Sequence, residues 1–570
     1  NRAIAFIEDV AIPTDTLASF VKSFISYLRS QGKEAGIYGH IGDGCLHIRP
    51  YINLTKQDEL ALMQKIMLDV ANMVIQHGGA LSAEHGDGLI RTWTNPKMFG
   101  EKIYLAFVKL KKAFDPDFLM NPNKIVSLEQ SEAFITTDLR LSPQTKIIPQ
   151  KTFFDFKREG GLELAADLCN GNGQCRKRAQ NEEGPHVMCP SFQVTGEEKD
   201  STRARANVFR ALVHGKIKAA DLHTADVSEV MDLCIQCKGC KTECPSQVDM
   251  AKMKAEYLYQ VHSAEGYPLR SYLFGYLGTL LKLGSYFPKL NNFLISSAPV
   301  KALFSFIGIS PKRTLPHLGE KPFSQSYKKA CEKPKKIVLF SDTFTEFTMP
   351  QLGEKAAFVL EKLGYEVIVP AWSCCGRTMI SKGLLPEAKK KAEKLIEILY
   401  PFAKAGIPIC GIEPSCILTI RDEFRDFYLD TKKVDCVIRM TKTLDELLHD
   451  ELPQLTPLLQ PFPKEVYVHG HCHQKALVGM QPTLQVLCSI PGAKVHEIQS
   501  GCCGMAGSFG YEKEHYDFSM KIGELVLFPK VRTHKDSVII ASGTSCRSQI
   551  EDGTGKKALH LIELLARLIK

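Results

Sequence analysis

The distribution of cysteine constrains this chain more than any other feature of its sequence. Nineteen cysteines occur in 570 residues, an odd number that a closed set of disulfides cannot use up. Seven of them lie between residues 169 and 244, and the adjacent pairs Cys374-Cys375 and Cys502-Cys503 follow in the last third. We therefore expect thiolates that bind metal or iron–sulfur clusters in a reducing, cytoplasmic compartment. Cys331, Cys436 and Cys488 stand apart from these groups.

One cysteine run has the spacing of a bacterial ferredoxin motif. Residues 234–245 read CIQCKGCKTECP, which is C-x2-C-x2-C-x3-C-P. Three closely spaced thiolates of such a run bind one [4Fe–4S] cubane, and the fourth reaches a second cluster. A zinc ribbon, the alternative, would need two C-x2-C pairs separated by a longer loop. The run therefore predicts single-electron transfer.

The expected partner run is incomplete. Residues 169–175 read CNGNGQC, so Asn172 stands where a middle cysteine would fall, and Cys189-Pro190 follows after a longer loop. With three thiolates, the second site is a [3Fe–4S] centre, a [4Fe–4S] centre with a non-cysteine ligand, or absent. The exchange of fourth ligands gives one set of Cys189, Cys234, Cys237 and Cys240, and another of Cys169, Cys175 and Cys244.

The last third contains an internal repeat. KIVLFSD at 336–342 matches VYVHGHC at 466–472, EVIVPAWSCCG at 366–376 matches KVHEIQSGCCG at 494–504, and IPICGIEPSC at 407–416 matches SVIIASGTSC at 537–546. In this alignment Asp342 stands in place of Cys472. Each repeat predicts strands with cysteines at their ends, where open α/β sheets bind ligands. A second iron–sulfur site or buried structural thiols would use Cys374, Cys375, Cys416, Cys472, Cys502, Cys503 and Cys546.

The N-terminal part carries histidines and carboxylates instead. Its pattern predicts a strand, a Gly-Asp-Gly turn and a strand over 35–52, then an amphipathic helix over 55–76 capped by Thr55. The turn lets His40 and His47 point to one site, and Glu84-His85 lies further on. Two imidazoles and a carboxylate make an open divalent-metal site with room for substrate. Hydrogen-bonded loop histidines without a metal explain the same spacing.

Composition and charge narrow the classes of partner. Hydrophobic residues make up 44% and charged residues 24%, as in soluble globular proteins, and no long apolar run predicts a transmembrane helix. The net charge of +9 permits an anionic substrate or membrane surface and gives no indication of nucleic acid. The start at Asn1, without Met or a signal peptide, suggests a fragment. Residues 263–330 interleave aromatic, aliphatic and basic residues, as in a segment peripheral to the inner face of the cell membrane, or in helices that pack on the cluster domain.

The histidine motif has a family resemblance. His40 and His47 with Glu84-His85 resemble the C-terminal half of FAD-linked oxidases of the vanillyl-alcohol-oxidase superfamily, and more narrowly the D-2-hydroxyacid dehydrogenases acting on D-lactate and D-2-hydroxyglutarate. FDP at 114–116 with NPNKI at 121–125 resembles that family's closing motif near the flavin, although Asn123 stands where Gly is usual. Residues 161–570 resemble the iron–sulfur module of glycolate oxidase and the Cys-Cys-Gly domains of heterodisulfide reductase. The order of these parts, including GNGQC at 171–175 and GCCGMAGSFG at 501–510, resembles large bacterial fusion dehydrogenases.

This resemblance implies an architecture. An α+β substrate-cap domain of the FAD-linked oxidase type would span 1–135, followed by a linker over 136–160. An α-helical two-cluster ferredoxin domain would span 161–262, and a helical segment 263–330. Two repeated α/β Cys-Cys-Gly domains would span 335–450 and 465–570. Most of the FAD pocket would belong to an N-terminal domain that is not in this sequence.

The resemblance also implies roles. His40, His47 and Glu84 would hold a divalent metal, expected to be zinc, and His85 would be the general base. Asn121 and Lys124 would lie at the FAD, and Arg49 or Arg91 would pair with a substrate carboxylate. Electrons from a D-2-hydroxy acid would pass through the clusters to a quinone or cytochrome. A non-catalytic iron–sulfur subunit serving another flavoprotein, or a structural zinc protein, are the alternatives.

Overall fold

The structure is a computed structural model that describes residues 2–128, 135–137, 139–178, 187–328 and 332–570; Cys331 lies outside them. The described residues form two compact units, Asn1–Lys146 and Ile147–Lys570. We call these the N-terminal and the C-terminal unit and describe each by itself.

The N-terminal unit combines a small antiparallel sheet with helices. Its elements are β1 (Arg2–Ala3), β2 (Val10–Ala11), α1 (Thr14–Ser30), β3 (Ala35–His40), β4 (Cys45–Ile52), α2 (Gln57–Gln76), α3 (Gly88–Arg91), α4 (Asn95–Phe99) and α5 (Glu101–Phe114). Strand β4 is central, because it pairs with β1, β2 and β3. The predicted strand–turn–strand unit is confirmed as the β3–β4 hairpin.

Helix α2 buries one face against this sheet and α1. Its buried side chains recur at helical spacing, and they are Leu60, Met63, Ile66, Met67, Val70, Ala71 and Val74. The helix is confirmed, and it ends before Gly78, whose φ is 70°. The expected cap is wrong: Lys56 is the N-cap residue, and Thr55 instead donates from N–H and Oγ1 to Oδ1 of Asn53.

The C-terminal unit begins with helices that surround the first cysteines. They are α6 (Leu162–Asp167), α7 (Pro190–Thr195), α8 (Thr202–Val213), α9 (Ala225–Asp232), α10 (Gly239–Glu243) and α11 (Met250–Glu265). Phe154 and Phe156 are buried in the same core. The next helices are α12 (Leu269–Gly275), α13 (Leu277–Gly284), α14 (Pro288–Ser296), α15 (Ala298–Phe306) and α16 (Phe323–Ser326). Among the described residues, no helix has the length and hydropathy needed to span a bilayer.

The first repeat is a parallel sheet with helices. It comprises β5 (Lys335–Phe340), α17 (Thr343–Phe347), α18 (Pro350–Lys362), β6 (Tyr365–Ile368), α19 (Arg377–Ser381), α20 (Leu385–Lys404), β7 (Ile409–Gly411), α21 (Pro414–Arg421), α22 (Thr431–Met440), β8 (Thr441–Thr443), α23 (Leu444–Asp450) and α24 (Leu452–Leu455). The strands lie in the order β6-β5-β7-β8. Because they are parallel, the loops after β5, β6 and β7 lie along one edge.

The second repeat has the same core arrangement. It comprises β9 (Glu465–His469), α25 (Cys472–Leu477), α26 (Gln481–Cys488), β10 (Lys494–Glu497), α27 (Tyr516–Leu525), α28 (Leu527–Thr533), β11 (Val538–Ala541), α29 (Thr544–Thr554) and α30 (Leu561–Leu568). The parallel strands lie in the order β10-β9-β11. The two central strands, β5 and β9, therefore occupy equivalent places.

Strand pairing shifts the alignment of the repeats by one residue. Glu366 pairs with Lys336 in the first repeat, whereas Lys494, its counterpart, pairs with Glu465 in the second. The third strand of each sheet gives the same shift. Lys336 therefore corresponds to Glu465 and not to Val466, because register in a paired sheet fixes which residues are equivalent.

This shift corrects one sequence-based expectation. Asp342 does not stand in place of Cys472; Thr343 does. Asp342 corresponds to His471, and each of these two side chains accepts a backbone N–H at the start of the following helix. Both segments are short and match without a gap, so residue identity alone does not reveal the shift.

Candidate active site and thiol sites

The β3–β4 hairpin brings two histidines together. His40 ends β3 and pairs with Cys45, and Tyr38 pairs with His47 on β4. The connection needs Gly44, whose φ is 74° and whose Cα lies so close to Ile12 that an added Cβ would be 2.0 Å from the Ile12 carbonyl oxygen. A side chain there would push the hairpin away from the preceding strand.

Three imidazoles converge on one carboxylate oxygen. The Nε2 atoms of His40, His47 and His85 lie 3.3, 3.1 and 3.5 Å from Oε1 of Glu84. The rings of His47 and His85 are stacked with centroids 4.6 Å apart. Glu84 is half exposed, whereas His47 is buried. The structure thus places all four predicted residues in one cluster that is open on one side.

Asp9, which sequence reasoning missed, holds the loop that carries Glu84. Its buried carboxylate accepts the backbone N–H groups of Ala83 at 2.8 Å, Glu84 at 3.1 Å and His85 at 2.8 Å. Asp9 Oδ1 also lies 3.9 Å from Nδ1 of His47. Three N–H groups on one carboxylate fix the backbone of the loop. The signal in the sequence was an acidic pair between apolar residues, FIEDVAI at 6–12.

Glu8, the other member of that acidic pair, holds His85. Glu8 Oε1 lies 2.8 Å from His85 Nδ1, and this hydrogen bond raises the pKa of His85. Arg49 reaches the other oxygen of Glu8 at 3.4 Å and lies over the ring of Tyr38. A carboxylate on Nδ1 keeps the proton on that nitrogen and leaves Nε2 as an acceptor.

The other predicted residues of this unit lie in the surrounding loops. Arg91 is buried and donates to the carbonyl oxygens of Leu81 at 3.2 Å and Gly86 at 2.5 Å, so its guanidinium supports the Glu84 loop. Asn121 and Asn123 have φ values of 45° and 58°. Asparagine tolerates this left-handed region, so Asn123 keeps the backbone shape that Gly would give. The N–H of Lys124 donates to the Asn121 carbonyl.

The donor set fits a divalent metal. Neutral imidazoles and one carboxylate on the same side of a loop are ligands that zinc takes, and the half-exposed side leaves a position open. Without a cation, one carboxylate oxygen of Glu84 would have to accept hydrogen bonds from all three Nε2 atoms. The Nε2 atom of His85 cannot donate, because its ring carries the proton on Nδ1. His40, His47 and Glu84 remain the predicted ligands. Asp9, Cys45, His47 and Glu84 also offer ligand atoms that lie within 4.8 Å of one another.

The ferredoxin run lies buried between helices. Cys237, Cys240 and Cys244 are buried and Cys234 is partly so. Burial raises the pKa of Cys240 and of Cys237, and Cys234 adds to the rise in both. Buried Lys254 donates to the carbonyl oxygen of Cys234 at 2.7 Å. Burial and mutual repulsion oppose the ionisation of these thiols. Bound iron would offset this and allow them to bind as thiolates.

The partner run shows a different contact from the one expected. A hydrogen bond with Cys189 lowers the pKa of Cys175 to about 6, and Cys189 Sγ also lies 2.8 Å from Oγ1 of Thr202. The exchange of fourth ligands places Cys175 and Cys189 in different clusters, so their contact departs from that assignment. Cys169 is held through its carbonyl oxygen, which accepts from Arg210 at 2.7 Å.

The second repeat gathers all four of its predicted thiols. A hydrogen bond with Cys502 lowers the pKa of Cys472 to about 7. Cys503 contacts both Cys502 and Cys546. These thiols form a continuous group of sulfur atoms at the edge where the loops after β9, β10 and β11 meet.

The first repeat gathers three thiols and a hydroxyl. Cys375 contacts Cys374 and Cys416, and Thr343 hydrogen-bonds to Cys374 where the second repeat has Cys472. Cys410 lies apart, fully buried in β7, and burial alone raises its pKa to about 12. Cys410 is therefore a core residue of the sheet.

The ferredoxin run touches both repeats. The carbonyl oxygen of Gln236 lies 3.0 Å from Nε2 of His473, next to Cys472, and its side-chain oxygen accepts from Arg377 at 3.0 Å. Lys238 donates to Asp422 at 2.7 Å. Sequence reasoning missed these contacts, because no local pattern shows which loops of separate domains meet.

Comparison with known protein families finds three kinds of domain along the chain. Residues 1–125 match the C-terminal domain of FAD linked oxidases. Residues 165–249 match a 4Fe-4S dicluster domain, and residues 342–421 and 466–551 match a cysteine-rich domain. These matches follow one another along the chain in this order. The expected combination of a flavin-linked oxidase domain with iron–sulfur and Cys-Cys-Gly domains is therefore confirmed.

Curated relatives match over different parts of the chain. The D-2-hydroxyglutarate dehydrogenases of Escherichia coli K12 and Pantoea ananatis are 27% and 28% identical and cover 100% of this chain. The chain spans 59% of the length of each of them. One subunit of the anaerobic glycerol-3-phosphate dehydrogenase of Escherichia coli K12 is 29% identical, over 53% of this chain and 77% of its own length.

Proposed function

We propose that this chain is the substrate-cap and electron-transfer part of an FAD-dependent dehydrogenase that oxidises D-2-hydroxyglutarate to the 2-oxo acid. The observation that carries the proposal is the convergence of the His40, His47 and His85 Nε2 atoms on Glu84. Relatives named D-2-hydroxyglutarate dehydrogenase match the chain from end to end. An electron-transfer subunit alone would need no such cluster.

His40, His47 and Glu84 would hold a divalent cation, which we propose to be zinc. When bound, the cation lowers the pKa of the substrate hydroxyl. FAD would supply the hydride acceptor for the substrate carbon, and Asn121 and Lys124 would lie beside it. The remaining steps belong to side chains of this chain.

His85 would take the proton of the substrate hydroxyl on Nε2. Glu8, 2.8 Å from Nδ1, fixes the ring and stabilises the imidazolium that forms. Asp9 fixes the backbone under the ring, at 2.8 Å from the His85 N–H. The base is thus held from two sides, and its Nε2 lies 3.5 Å from Oε1 of Glu84.

Arg49 would bind the second carboxylate of the substrate. Its Nε has no hydrogen-bond partner among the described residues. Its Nη2 donates to Oε2 of Glu8 at 3.4 Å. Arg91, by contrast, uses both Nη groups on backbone carbonyls. A guanidinium at the edge of the cluster favours a dicarboxylate such as 2-hydroxyglutarate over lactate.

His85→Ala tests the base assignment. In protein that contains bound FAD, we expect turnover of D-2-hydroxyglutarate with an artificial electron acceptor to be lost, while the divalent metal is retained. The matched control is His77→Gln, because His77 ends α2 and bonds to the Met73 carbonyl. Full activity in His85→Ala would defeat the assignment. Protein with iron and sulfide but no divalent metal and no hydroxyacid oxidation would favour the electron-transfer subunit.

The two ferredoxin-type sites would pass single electrons onward. Cys234, Cys237 and Cys240 would hold one [4Fe–4S] cluster, and Cys169, Cys175 and Cys244 would belong to the second cluster of the dicluster domain. Cys189 was expected at the first cluster, but its hydrogen bond with Cys175 favours the second. We propose that a quinone or cytochrome accepts the electrons. Reductive titration followed by electron paramagnetic resonance tests the presence of two clusters. We expect signals from two interacting clusters; a single isolated signal would contradict the two-cluster proposal.

Residues 266–319 would contact an anionic membrane surface. This stretch has six basic residues and no acidic one. Helices α12–α15 expose large apolar side chains, including Phe293 at 71% and Phe306 at 88%. Lys282, Lys289 and Lys301 form no ion pair within the described residues. Exposed apolar groups beside unpaired lysines are the composition of an interfacial segment.

Co-sedimentation with vesicles tests this contact. We expect binding to vesicles that contain phosphatidylglycerol, weaker binding to phosphatidylcholine, and loss of binding when Phe293 and Phe306 are both replaced by Ser. The control is Phe358→Ser, which removes an exposed Phe of α18. Equal binding of the double variant would contradict the proposal.

A further inference from the structure

We propose that Cys45 is a further ligand of the divalent cation in the N-terminal unit, and that its thiolate makes this site select zinc over manganese and magnesium. The inference deepens the proposed function, because it rests on the cation proposed there. The ligands assigned to that cation so far are imidazoles and a carboxylate. Cys45 lies far in sequence from the cysteine groups of the C-terminal unit.

The register of the β3–β4 hairpin places Cys45 on the face that carries the histidines. Cys45 and His47 are two residues apart on β4, so their side chains point to the same face of the sheet. Cys45 also pairs directly with His40 on β3. Directly paired residues share a face, with Cβ atoms about 4.5–5.5 Å apart. The thiol and both imidazoles therefore lie on one face of the hairpin.

The side chains converge as this register requires. Four of them offer ligand atoms that all lie within 4.8 Å of one another, and they are Asp9, Cys45, His47 and Glu84. Cys45 is 7% exposed, whereas the side chain of His40 is 60% exposed. The thiol therefore lies on the buried side of the cluster, and a bond from its sulfur to the cation leaves the exposed side open.

The hydrogen bonds of the site leave the sulfur able to bind a cation. Asp9 Oδ2 already accepts three backbone N–H groups of the Glu84 loop, so the role of Asp9 is to hold that loop. The Cys45 sulfur accepts the backbone N–H of His40. This contact is compatible with a metal bond, because a donated N–H favours the charged thiolate. Cys45 is therefore the donor that adds to His40, His47 and Glu84.

A thiolate changes which cation the site prefers. Together with the carboxylate of Glu84, it balances both charges of a divalent ion. Sulfur is a soft donor that favours zinc, whereas magnesium and manganese prefer carboxylate, carbonyl and water oxygens. Zinc with four protein donors still admits a substrate, because its coordination expands to five.

X-ray absorption spectroscopy at the zinc edge tests the ligand directly. In protein that contains bound FAD, we expect one sulfur at about 2.3 Å from zinc, beside nitrogen and oxygen at about 2.0–2.2 Å. Cys45→Ser, at saturating zinc, should lose the sulfur and keep the metal. The control is Cys488→Ser, which changes the exposed cysteine at the end of α26 and should keep the sulfur. Zinc without sulfur in the unaltered chain, or sulfur that persists in Cys45→Ser, would overturn the assignment.

Competition between cations tests the selectivity. We expect Cys45→Ser to bind zinc about 100-fold more weakly, the upper end of what loss of a residue that supports a metal ligand costs, and to bind manganese as before. Equal losses for zinc and manganese would overturn the selectivity.

Oxidation of D-2-hydroxyglutarate, measured on the same samples, separates this inference from the proposed function. Active protein whose zinc lacks a sulfur neighbour would overturn the Cys45 assignment alone. Sulfur-bound zinc that is lost in Cys45→Ser, in a chain that oxidises no hydroxy acid, would support the assignment and overturn the proposed function. Protein that binds no divalent cation would overturn both.

Discussion

The buried carboxylate of Asp9 accepts the backbone N–H of His85 at 2.8 Å, across 76 residues of sequence. The same oxygen accepts the N–H groups of Ala83 and Glu84. Asp9 is fully buried. By fixing the backbone of the loop, it orients the side chains of Glu84 and His85. The geometry of the candidate active site therefore depends on a residue next to β2 as much as on the histidines.

Replacing Asp9 should weaken the proposed metal site. In Asp9→Ala, three N–H groups lose their acceptor, so the loop of Glu84 loosens. We expect zinc affinity to fall about 10- to 100-fold, as for other residues that support metal ligands. Chelator competition measures this, and Asp15→Ala, an acidic residue in the first turn of α1, is the control. Unchanged affinity would show that the loop needs no such support.

Replacing Glu8 should slow turnover without removing the metal. In Glu8→Gln, His85 keeps a partner on Nδ1 but loses the negative charge that stabilises its protonated form. We expect kcat to fall about 100-fold, at the lower end of the range that general acid–base catalysis contributes, with metal content unchanged. Steady-state kinetics with metal analysis on the same samples separates the two. A rise in KM alone would assign Glu8 to substrate binding instead.

Arg49 should distinguish substrates. In Arg49→Met, loss of a charged hydrogen bond to the second carboxylate should raise KM for D-2-hydroxyglutarate about 10- to 100-fold, with D-lactate turnover unaffected. The comparison of two substrates in one variant is its own control, because general damage to the site would lower both. Equal losses would contradict the proposed specificity.

Much of this arrangement was predictable from local sequence. The hairpin, helix α2 and the gathering of His40, His47, Glu84 and His85 follow from strand pattern, helical periodicity and a known motif. Asp9 was not predictable, because its partners are backbone N–H groups, which leave no trace in side-chain identity. The one-residue shift between the repeats was also hidden, since only hydrogen-bonded register defines it.

Cysteines of different environment should respond differently to replacement. Cys237→Ser should remove a cluster ligand and lower the iron content by one cluster. Cys410→Ala should leave iron unchanged, because Cys410 lies in the core of β7, and should cost about 1 kcal/mol of stability. Iron analysis and thermal unfolding measure both effects. Loss of iron in Cys410→Ala would make it a ligand after all.

His515 should make stability depend on pH. Its ring lies 2.8 Å from Asp232 and 2.8 Å from Glu512, and although burial opposes the proton, these two carboxylates raise its pKa to about 9. Three further charged groups lie around these carboxylates. Arg270 and Lys382 form ion pairs with Glu512, and Arg270 also pairs with Glu514. Because the folded-state pKa lies above the unfolded value of about 6.5, the stabilisation is full below about pH 6.5 and is lost as pH rises through about 9.

An uncharged variant separates the contribution of the His515 charge from that of its packing. We expect His515→Gln to lower the unfolding temperature by about 2–4 °C at pH 6.5 and to match the unaltered chain near pH 10, where the imidazole is neutral in both states. His534→Gln is the control, because His534 stacks on Tyr467 without a carboxylate partner among the described residues. A difference that stayed constant from pH 6.5 to 10 would mean that His515 stabilises the fold by packing on Phe509, whose ring centroid lies 4.2 Å away. Loss of the difference with rising pH would instead identify the charge as the contact that joins α9 to the second repeat.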